Sequence, residues 1–339
     1  MRVWLAIWFW LLVGSLWANE TMVDMAGREV EIPLEVSKAF AASPPMMTLL
    51  YILAPEKMMG VNYSFSEQEK RFMRREVQNL PVLGGFFGGG NQANLEKIIS
   101  LRPDVVFAWD LALGNMKGFE ERLNAFGIPV IYLRQNTLKD SLEAVEVMGR
   151  FLRKEDRAHQ LIAYGEESLS RVEKSVESLG DTPKKRVYFA QGEDGLYTEC
   201  DIDAQSEVIA LAGGVNVHHC PKGSRGKRER ISMEKLYLYD PDVIFVRERP
   251  FFESLKSNRS WQKLRAYREG KVYLDAASPF SWLSRPPSFM RLWGVLWVHH
   301  RLYPDHLEMD EVSEVARFYR LFLGIELSEE DSRKLLKGE

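Results

Sequence analysis

One segment of this chain occurs twice, and it constrains the fold more than any other feature. The first copy covers residues 94–107 and the second covers residues 232–245, which lie 138 positions later (232 − 94). In both copies a glutamate, Glu96 or Glu234, precedes a proline by seven residues (103 − 96 and 241 − 234). Aspartate and a run of apolar residues follow each proline. The chain therefore contains an internal duplication.

Each copy predicts a short helix followed by a buried strand. Asn94 and Ser232 are residue types that cap helix N-termini, and Glu96 and Glu234 fall in the first helical turn, where the helix dipole favours an anionic side chain. Proline ends each helix, and the apolar β-branched run after it suits a strand covered on both faces. A further helix and strand follow each copy, at residues 119–132 and 261–274. The sequence thus predicts an α/β protein with two lobes of one plan.

Length and charge agree with that prediction and exclude some partners. The 339 residues are enough for two domains of about 150 residues each. The net charge of −3 gives no electrostatic reason to expect binding to nucleic acid.

The N-terminus has the pattern of a signal peptide. Arg2 precedes an apolar run at residues 3–13, and small residues lead to Ala18, after which cleavage is expected. The run of about eleven apolar residues is too short for an ordinary membrane-spanning helix. No cysteine stands near residue 18, so no lipid anchor through an N-terminal cysteine is expected. The mature chain is predicted to be exported.

The chain has two cysteines, Cys200 and Cys220. In an oxidising compartment a disulfide between them is the favoured interpretation, and two free thiols are the alternative.

These patterns divide the chain into five parts. Apolar residues between 161 and 179 recur at helical spacing, which predicts a connecting helix of some 25 residues and about 38 Å. The predicted parts are a signal peptide (1–18), an N-terminal α/β lobe (19–137), connecting helices (138–180), a C-terminal α/β lobe (181–310) and a C-terminal helical extension (311–339).

Two loops allow more than one interpretation. The glycine-rich stretch 84–90 contains Phe86 and Phe87 and is either a mobile loop at the edge of a cleft or a plain solvent loop. It lacks the preceding strand that a dinucleotide-binding glycine motif requires. Residues 222–230 carry five basic side chains and one acidic one, and form either a solvated loop or a flap that attracts anions.

Motifs of catalysis are missing from the sequence. It contains no His-Glu-x-x-His, no nucleophile elbow and no phosphate-binding Walker loop. His218, His219 and Cys220 could bind a soft metal, but only as long as the cysteine is a thiolate, which a disulfide excludes. We therefore expect no protein metal site, no cofactor and no enzymatic activity, and predict a binding protein.

The pattern resembles the periplasmic binding proteins of ABC importers for iron–siderophores, haem and cobalamin. The similarity covers about residues 22–305 and is carried by residues 23–30, 94–105 and 212–217. It implies two Rossmann-like lobes joined by one long helix, a monomer in the periplasm and an inner-membrane ABC permease as partner.

The resemblance also assigns residues. The two lobe-tip glutamates that dock on the permease in this family fall on Glu96 and Glu234. Aromatic residues of the cobalamin branch fall on Tyr63 and Trp109. Loop position adds Tyr197, Trp282 and Arg285 to the expected cleft, together with Phe86 and Phe87.

The ligand class remains open between two chemistries. An aromatic cleft suits a flat or apolar metal chelate, whereas Arg285 and the basic loop suit an anionic one. A receptor for a free metal ion or an oxyanion is the alternative, and a metal-processing enzyme on the same scaffold is a further one.

Overall fold

The structure, a computed structural model, describes residues 19–86, 92–113, 116–202, 206–221, 228–276 and 278–338. The predicted signal peptide at residues 1–18 lies outside the described residues.

Eleven strands and fourteen α-helices are formed within the described residues. The strands are β1 (Asn19–Val23), β2 (Glu29–Pro33), β3 (Ala39–Ala41), β4 (Val105–Trp109), β5 (Val130–Leu133), β6 (Arg186–Ala190), β7 (Tyr197–Thr198), β8 (Val215–Asn216), β9 (Glu229–Arg230), β10 (Val243–Val246) and β11 (Val272–Leu274). The helices are α1 (Pro44–Leu53), α2 (Glu67–Lys70), α3 (Arg75–Gln78), α4 (Leu95–Leu101), α5 (Lys117–Asn124), α6 (Leu138–Leu152), α7 (Glu155–Ser178), α8 (Glu207–Leu211), α9 (Met233–Tyr239), α10 (Arg249–Ser254), α11 (Arg265–Arg268), α12 (Met290–Leu302), α13 (Glu311–Phe318) and α14 (Glu329–Leu336).

Two parallel sheets with the same strand order form the centres of the two lobes. The N-terminal sheet has the order β3-β4-β5, and Met58 adds a parallel bridge to Ala39 at its free edge. The C-terminal sheet has the order β8-β6-β10-β11. The spatial order is therefore the same in both lobes. Met58 and β8 take the outer position, β3 and β6 come next, and the two later strands of each lobe follow. The predicted two-lobed α/β fold is confirmed.

The aspartate of each repeated Pro-Asp pair ties two strands together. The Asp104 carboxylate accepts the backbone N–H groups of Ser37 and Lys38, just before β3, at 2.7 and 2.8 Å. The Asp242 carboxylate accepts the N–H of Arg186, the first residue of β6, at 2.7 Å. The two carboxylates thus pair backbone N–H groups at the start of β3 and of β6. The repeat thus fixes strand register in both lobes.

The central strands divide their side chains between separate cores. Phe107 and Phe245 face the inner side of their sheets and join one large cluster that contains residues of both lobes. Val106 and Ile244 face the opposite side, where each lobe has its own smaller core. Alternate residues of a strand point to opposite faces, so a continuous apolar run is what a sheet covered on both faces requires.

Helix α7 is the predicted connector, and it has 24 residues. It packs against α6, which follows the N-terminal sheet, and against α12 near the end of the C-terminal lobe. The C-terminal extension contacts the connector through Glu314 on α13. Its carboxylate accepts a hydrogen bond from the Tyr164 hydroxyl at 2.8 Å and forms an ion pair with Arg171 at 3.0 Å. The inner core therefore includes the connector and the extension as well as both sheets.

Among the described residues, no helix has the length and apolar character needed to cross a bilayer.

Candidate ligand cleft

The carboxyl ends of the parallel strands bring polar and aromatic side chains to one edge of each sheet. Gln191, Arg247 and Asp275 follow directly after β6, β10 and β11, and Trp109 ends β4. Backbone hydrogen bonds join neighbouring ends, from Arg247 N–H to Ala190 at 3.0 Å and from Asp275 N–H to Val246 at 2.7 Å. Ligands of open α/β sheets bind outside these strand ends.

A cavity of about 270 Å³ lies between the two lobes at this edge. The N-terminal lobe contributes three polar residues from α2 and its cap, and the C-terminal lobe contributes the rest. The lining residues are Ser66, Gln68, Glu69, Arg247, Arg249, Leu274, Asp275 and Ser278.

Aromatic contacts near this cavity connect the lobes, and the rings that make them are not among the residues that line it. The rings of Tyr63 and Phe65 lie 4.9 Å apart, and Phe65 meets Phe280 of the C-terminal lobe edge-on at 5.9 Å. Burial raises the pKa of the Tyr63 hydroxyl, and the Glu69 carboxylate adds to that effect while Arg247 opposes it. The predicted cleft residue Tyr63 is therefore within electrostatic reach of residues that line the cavity.

Arg285 lies on the C-terminal side in an ion pair, and it is not among the residues that line the cavity. It pairs with Glu199 through two nitrogens, at 3.0 and 3.2 Å, and Glu199 is fully buried. Gln191 donates to the same carboxylate at 3.3 Å. The Arg247 guanidinium donates to the Arg285 carbonyl at 3.4 Å. The predicted residue Arg285 is thus linked to Arg247, which lines the cavity.

Asp275 carries a buried carboxyl group in the cavity wall. It accepts hydrogen bonds from the Ser281 hydroxyl at 2.6 Å and from the Trp282 N–H at 3.0 Å. Burial raises the pKa of Asp275 to about 6, against the opposing effects of these hydrogen bonds and of Arg247. The charge of this wall therefore changes within the mildly acidic range.

Several buried polar atoms near the strand ends have no hydrogen-bond partner in the described residues. They are Ser43 Oγ after β3, both amide atoms of Gln135 after β5, Gln191 Oε1 after β6, and Thr198 Oγ1 at the end of β7. Buried polar groups in folded proteins are normally paired. These unpaired atoms are available for hydrogen bonds to a polar ligand.

The structure places Trp109 and Tyr197 at strand ends on opposite lobes. Trp109 is 7% exposed and belongs to the inner core cluster. Tyr197 is half-exposed, and the guanidinium of Arg230 lies 5.5 Å from its ring centre. Both positions remain predictions for ligand contact.

The prediction for Trp282 is wrong. Its indole is fully buried, packs edge-on against Trp293 and Trp297, and donates from Nε1 to the Tyr319 hydroxyl at 3.2 Å. A side chain without exposed surface cannot touch a ligand in the cleft. Loop position placed Trp282 in the loop that follows a strand but did not reveal that the ring turns towards the core.

The glycine-rich loop is described only in part. The Phe86 ring packs on Phe119 of α5, and its N–H donates to the Ala42 carbonyl at 2.8 Å, just beyond β3. Phe87 lies outside the described residues, as do residues 222–227 of the basic loop.

Arg247 and Arg249 are cleft residues that the sequence reasoning missed. The repeat itself held the signal for Arg247, because it stands 138 positions after Trp109 (247 − 109). Equivalent positions of the repeat therefore hold an aromatic residue, Trp109, in one lobe and a cation, Arg247, in the other.

Comparison with known proteins identifies the family. Residues 78–279 match the sequence profile of the family described as periplasmic binding protein. The chain belongs to this family, the binding proteins of ABC importers.

Its relatives bind different ligands. A solved ABC transporter solute binding protein from Sulfurospirillum deleyianum is 34% identical, with a TM-score of 0.85, and the match covers 94% of this chain and 99% of that one. The molybdate-binding protein MolA of Haemophilus influenzae is 22% identical over 90% of this chain and 91% of its own. A vitamin B12-binding protein of Vibrio parahaemolyticus is 25% identical over 75% of this chain and 89% of its own.

In this binding protein the two repeat glutamates have matching surroundings. Glu96 and Glu234 are both exposed in the first turn of a seven-residue helix. Asn94 and Ser232 cap those helices by accepting the N–H of Lys97 at 3.0 Å and of Lys235 at 3.2 Å. Hydrogen bonds from its own backbone N–H and from Ser232 lower the pKa of Glu234.

The binding protein also has a disulfide between Cys200 and Cys220, as the sequence favoured, with 5.4 Å between the Cα atoms. Cys200 directly follows Glu199, the buried ion-pair partner of Arg285.

Proposed function

We propose that this protein captures an anionic metal chelate between its two lobes and delivers it to an inner-membrane ABC permease. The observation that carries the proposal is the cavity between the lobes, which Arg247 and Arg249 line. The aromatic pair Tyr63 and Phe65 lies outside the lining, with the Tyr63 hydroxyl within electrostatic reach of Arg247. Membership of the family supports periplasmic binding rather than catalysis.

The combination of charge and aromatic surface supports a chelate as ligand. Guanidinium groups bind carboxylate, phosphate and similar oxygen anions through paired hydrogen bonds. Aromatic rings supply rigid apolar area for the organic part of a chelate. A vitamin B12-binding protein is among the relatives, which is compatible with a large metal complex.

An oxyanion is the second candidate, and two observations favour it. The cavity of about 270 Å³ lies just below the usual range of about 300–1,000 Å³ for ligand pockets, so a compact anion fits without wider separation of the lobes. A relative that matches 90% of this chain's length, MolA, is a molybdate-binding protein.

A titration panel separates the two candidates. Purified mature protein would be titrated with ferric siderophores, haem, cobalamin, molybdate and tungstate, and tryptophan fluorescence and calorimetry would report binding. We expect one class to bind with a dissociation constant below about 1 µM, equivalent to about 8 kcal/mol. Failure of every compound, together with failure of native mass spectrometry on protein from its host to find a bound solute, would contradict the proposal.

Variants then test the location of the site. Arg247→Ala should weaken binding at least about tenfold, since a charge-assisted hydrogen bond is worth about 1.5–3 kcal/mol. Arg285→Ala and Trp109→Ala should also weaken it. Arg268→Ala is the matched control, because Arg268 is an exposed arginine on α11 that does not line the cavity.

A further inference from the structure

A second cluster of ligand-type side chains lies beside the disulfide. One donor atom from each of Cys200, His218, Cys220 and Glu229 lies within 4.8 Å of all the others. His218 Nε2 is 3.3 Å from Cys220 Sγ and 3.1 Å from Glu229 Oε2. None of the four lines the cavity between the lobes, and the function proposed above does not use them.

Hydrogen bonds hold these residues in place in addition to the disulfide. The Asp201 N–H donates to the His218 carbonyl at 3.0 Å, and the Cys220 N–H donates to the Asp201 carboxylate at 3.3 Å. Strands β7 and β9 pair Thr198 with Glu229. The four donors are therefore positioned by the backbone around them, so the arrangement does not depend on the sulfur–sulfur bond alone.

His218 is oriented as a metal-binding histidine is. Its Nδ1 lies 3.0 Å from the Tyr239 hydroxyl, and its ring is 1% exposed. When Nδ1 donates to Tyr239, the lone pair of Nε2 points at the cysteine and the glutamate. Such a second hydrogen bond fixes the tautomer and orientation of metal-ligating histidines.

We propose that reduction of the Cys200–Cys220 disulfide converts this cluster into a tetrahedral site for a thiophilic divalent cation such as Zn²⁺. A dithiol reductant passes two electrons and two protons to the sulfurs and itself becomes a disulfide. Binding of the metal then releases the two thiol protons. Two thiolates, one imidazole and one carboxylate are ligands that Zn²⁺ accepts in four-coordinate sites.

Disulfide and metal site are alternative states of the same residues. In the oxidised protein the sulfurs are bonded to each other and cannot act as thiolates, so the oxidised protein should bind no metal here. His219 is not part of the set, because its Nδ1 hydrogen-bonds to Asp201 at 2.6 Å and its side chain is largely exposed. It provides a neighbouring histidine with which to test the assignment.

The test uses the mature full-length protein, reduced by a phosphine that is then removed, and Co²⁺ as a spectroscopic probe. In phosphine reduction, water supplies the oxygen of the phosphine oxide and the protons of the thiols. We expect one Co²⁺ per chain, with thiolate-to-cobalt charge-transfer absorption and tetrahedral d–d bands that Zn²⁺ abolishes. His218→Ala and Glu229→Gln should weaken Co²⁺ binding at least tenfold, whereas His219→Ala should bind as the wild type does.

Three results would overturn the proposal. They are no thiolate-to-cobalt absorption in the reduced protein, equal absorption in His218→Ala, and equal binding by the oxidised protein. Circular dichroism covers the case in which reduction unfolds the chain. Refolding on addition of Zn²⁺ would support the site, and failure to refold would count against it.

Discussion

The indole of Trp282 belongs to the core, so its replacement should affect stability and not ligand binding. Trp282→Ala removes a fully buried ring that contacts Trp293 and Trp297, and large-to-small changes of this kind cost about 3–5 kcal/mol. Urea unfolding would measure the loss. Trp282→Phe should lose less, because it keeps most of the apolar contact and gives up the hydrogen bond to Tyr319. Weaker ligand binding with unchanged stability would contradict this assignment.

The sequence could not reveal this orientation because the partner lies far along the chain. Tyr319 is 37 residues from Trp282 and belongs to the C-terminal extension, for which the sequence predicted helix but no contacts. Arg247 is a different case, since it could have been found from Trp109 by applying the 138-residue repeat. Residue roles were thus predictable where the duplication fixed the backbone, and not where a distant segment fixed the side chain.

The carboxyl group of Asp275 should make stability depend on pH. Its pKa in the folded protein is about 6 against an ordinary value of 3.8, so the folded state holds the proton more strongly than the unfolded state does. Stability contributed by the protonated group is complete below about pH 4 and is lost as the pH rises to about 6. At about 1.4 kcal/mol per pH unit, the loss is on the order of 3 kcal/mol.

A comparison with Asp275→Asn isolates this effect from the other acids. Urea unfolding of both proteins between pH 4 and pH 7.5 should show that the variant gains stability relative to the wild type as the pH rises to about 6, and that the difference is constant above it. A difference that is independent of pH would show that Asp275 does not titrate in this range.

At the scale of elements, contact between α13 and α7 should stabilise the whole protein. Glu314 accepts from Tyr164 and pairs with Arg171, and its side chain is 11% exposed. Glu314→Ala removes these charged contacts between α13 and α7, so the free energy of unfolding should fall by about 1.5–3 kcal/mol. Glu326 is an exposed residue of the same extension and serves as the matched control. Glu326→Ala should change the free energy of unfolding by less than about 0.5 kcal/mol. Equal effects of the two variants would exclude the proposed stabilising contact.

The elements that sequence predicted well are those with strong periodicity. Helix α7 follows from apolar residues at helical spacing, and β4 and β10 follow from apolar β-branched runs. The two-residue strands β7 and β9 were not predicted, because so short a pair has no periodic pattern and depends on its tertiary surroundings. They nevertheless hold Glu229 beside the disulfide and pair Tyr197, a predicted cleft residue, with Arg230.

At the scale of the molecule, the shared inner core limits how far the lobes can move. One hydrophobic cluster contains strands of both sheets, the connector α7 and the extension. Opening the lobes widely would expose part of this apolar surface, at about 25 cal/mol for each Å². We therefore expect the distance between the lobe tips to change little when ligand binds, which suits recognition by a partner that contacts both tips at once.

Glu96 and Glu234 are exposed at equivalent positions of two lobes with the same strand order, so a permease of approximate two-fold symmetry could meet each carboxylate with a cation. Exposed ion pairs are worth about 0.2–1 kcal/mol each, and pairs shielded in an interface can be worth more.

Replacing both glutamates with alanine should strongly impair uptake and leave ligand affinity unchanged, and each single change should impair uptake partly. The measurements are uptake by cells that carry the variants and ligand affinity of the purified proteins. Normal uptake by the double variant would rule out docking through these residues, whereas lost affinity would place them in folding or in the cleft.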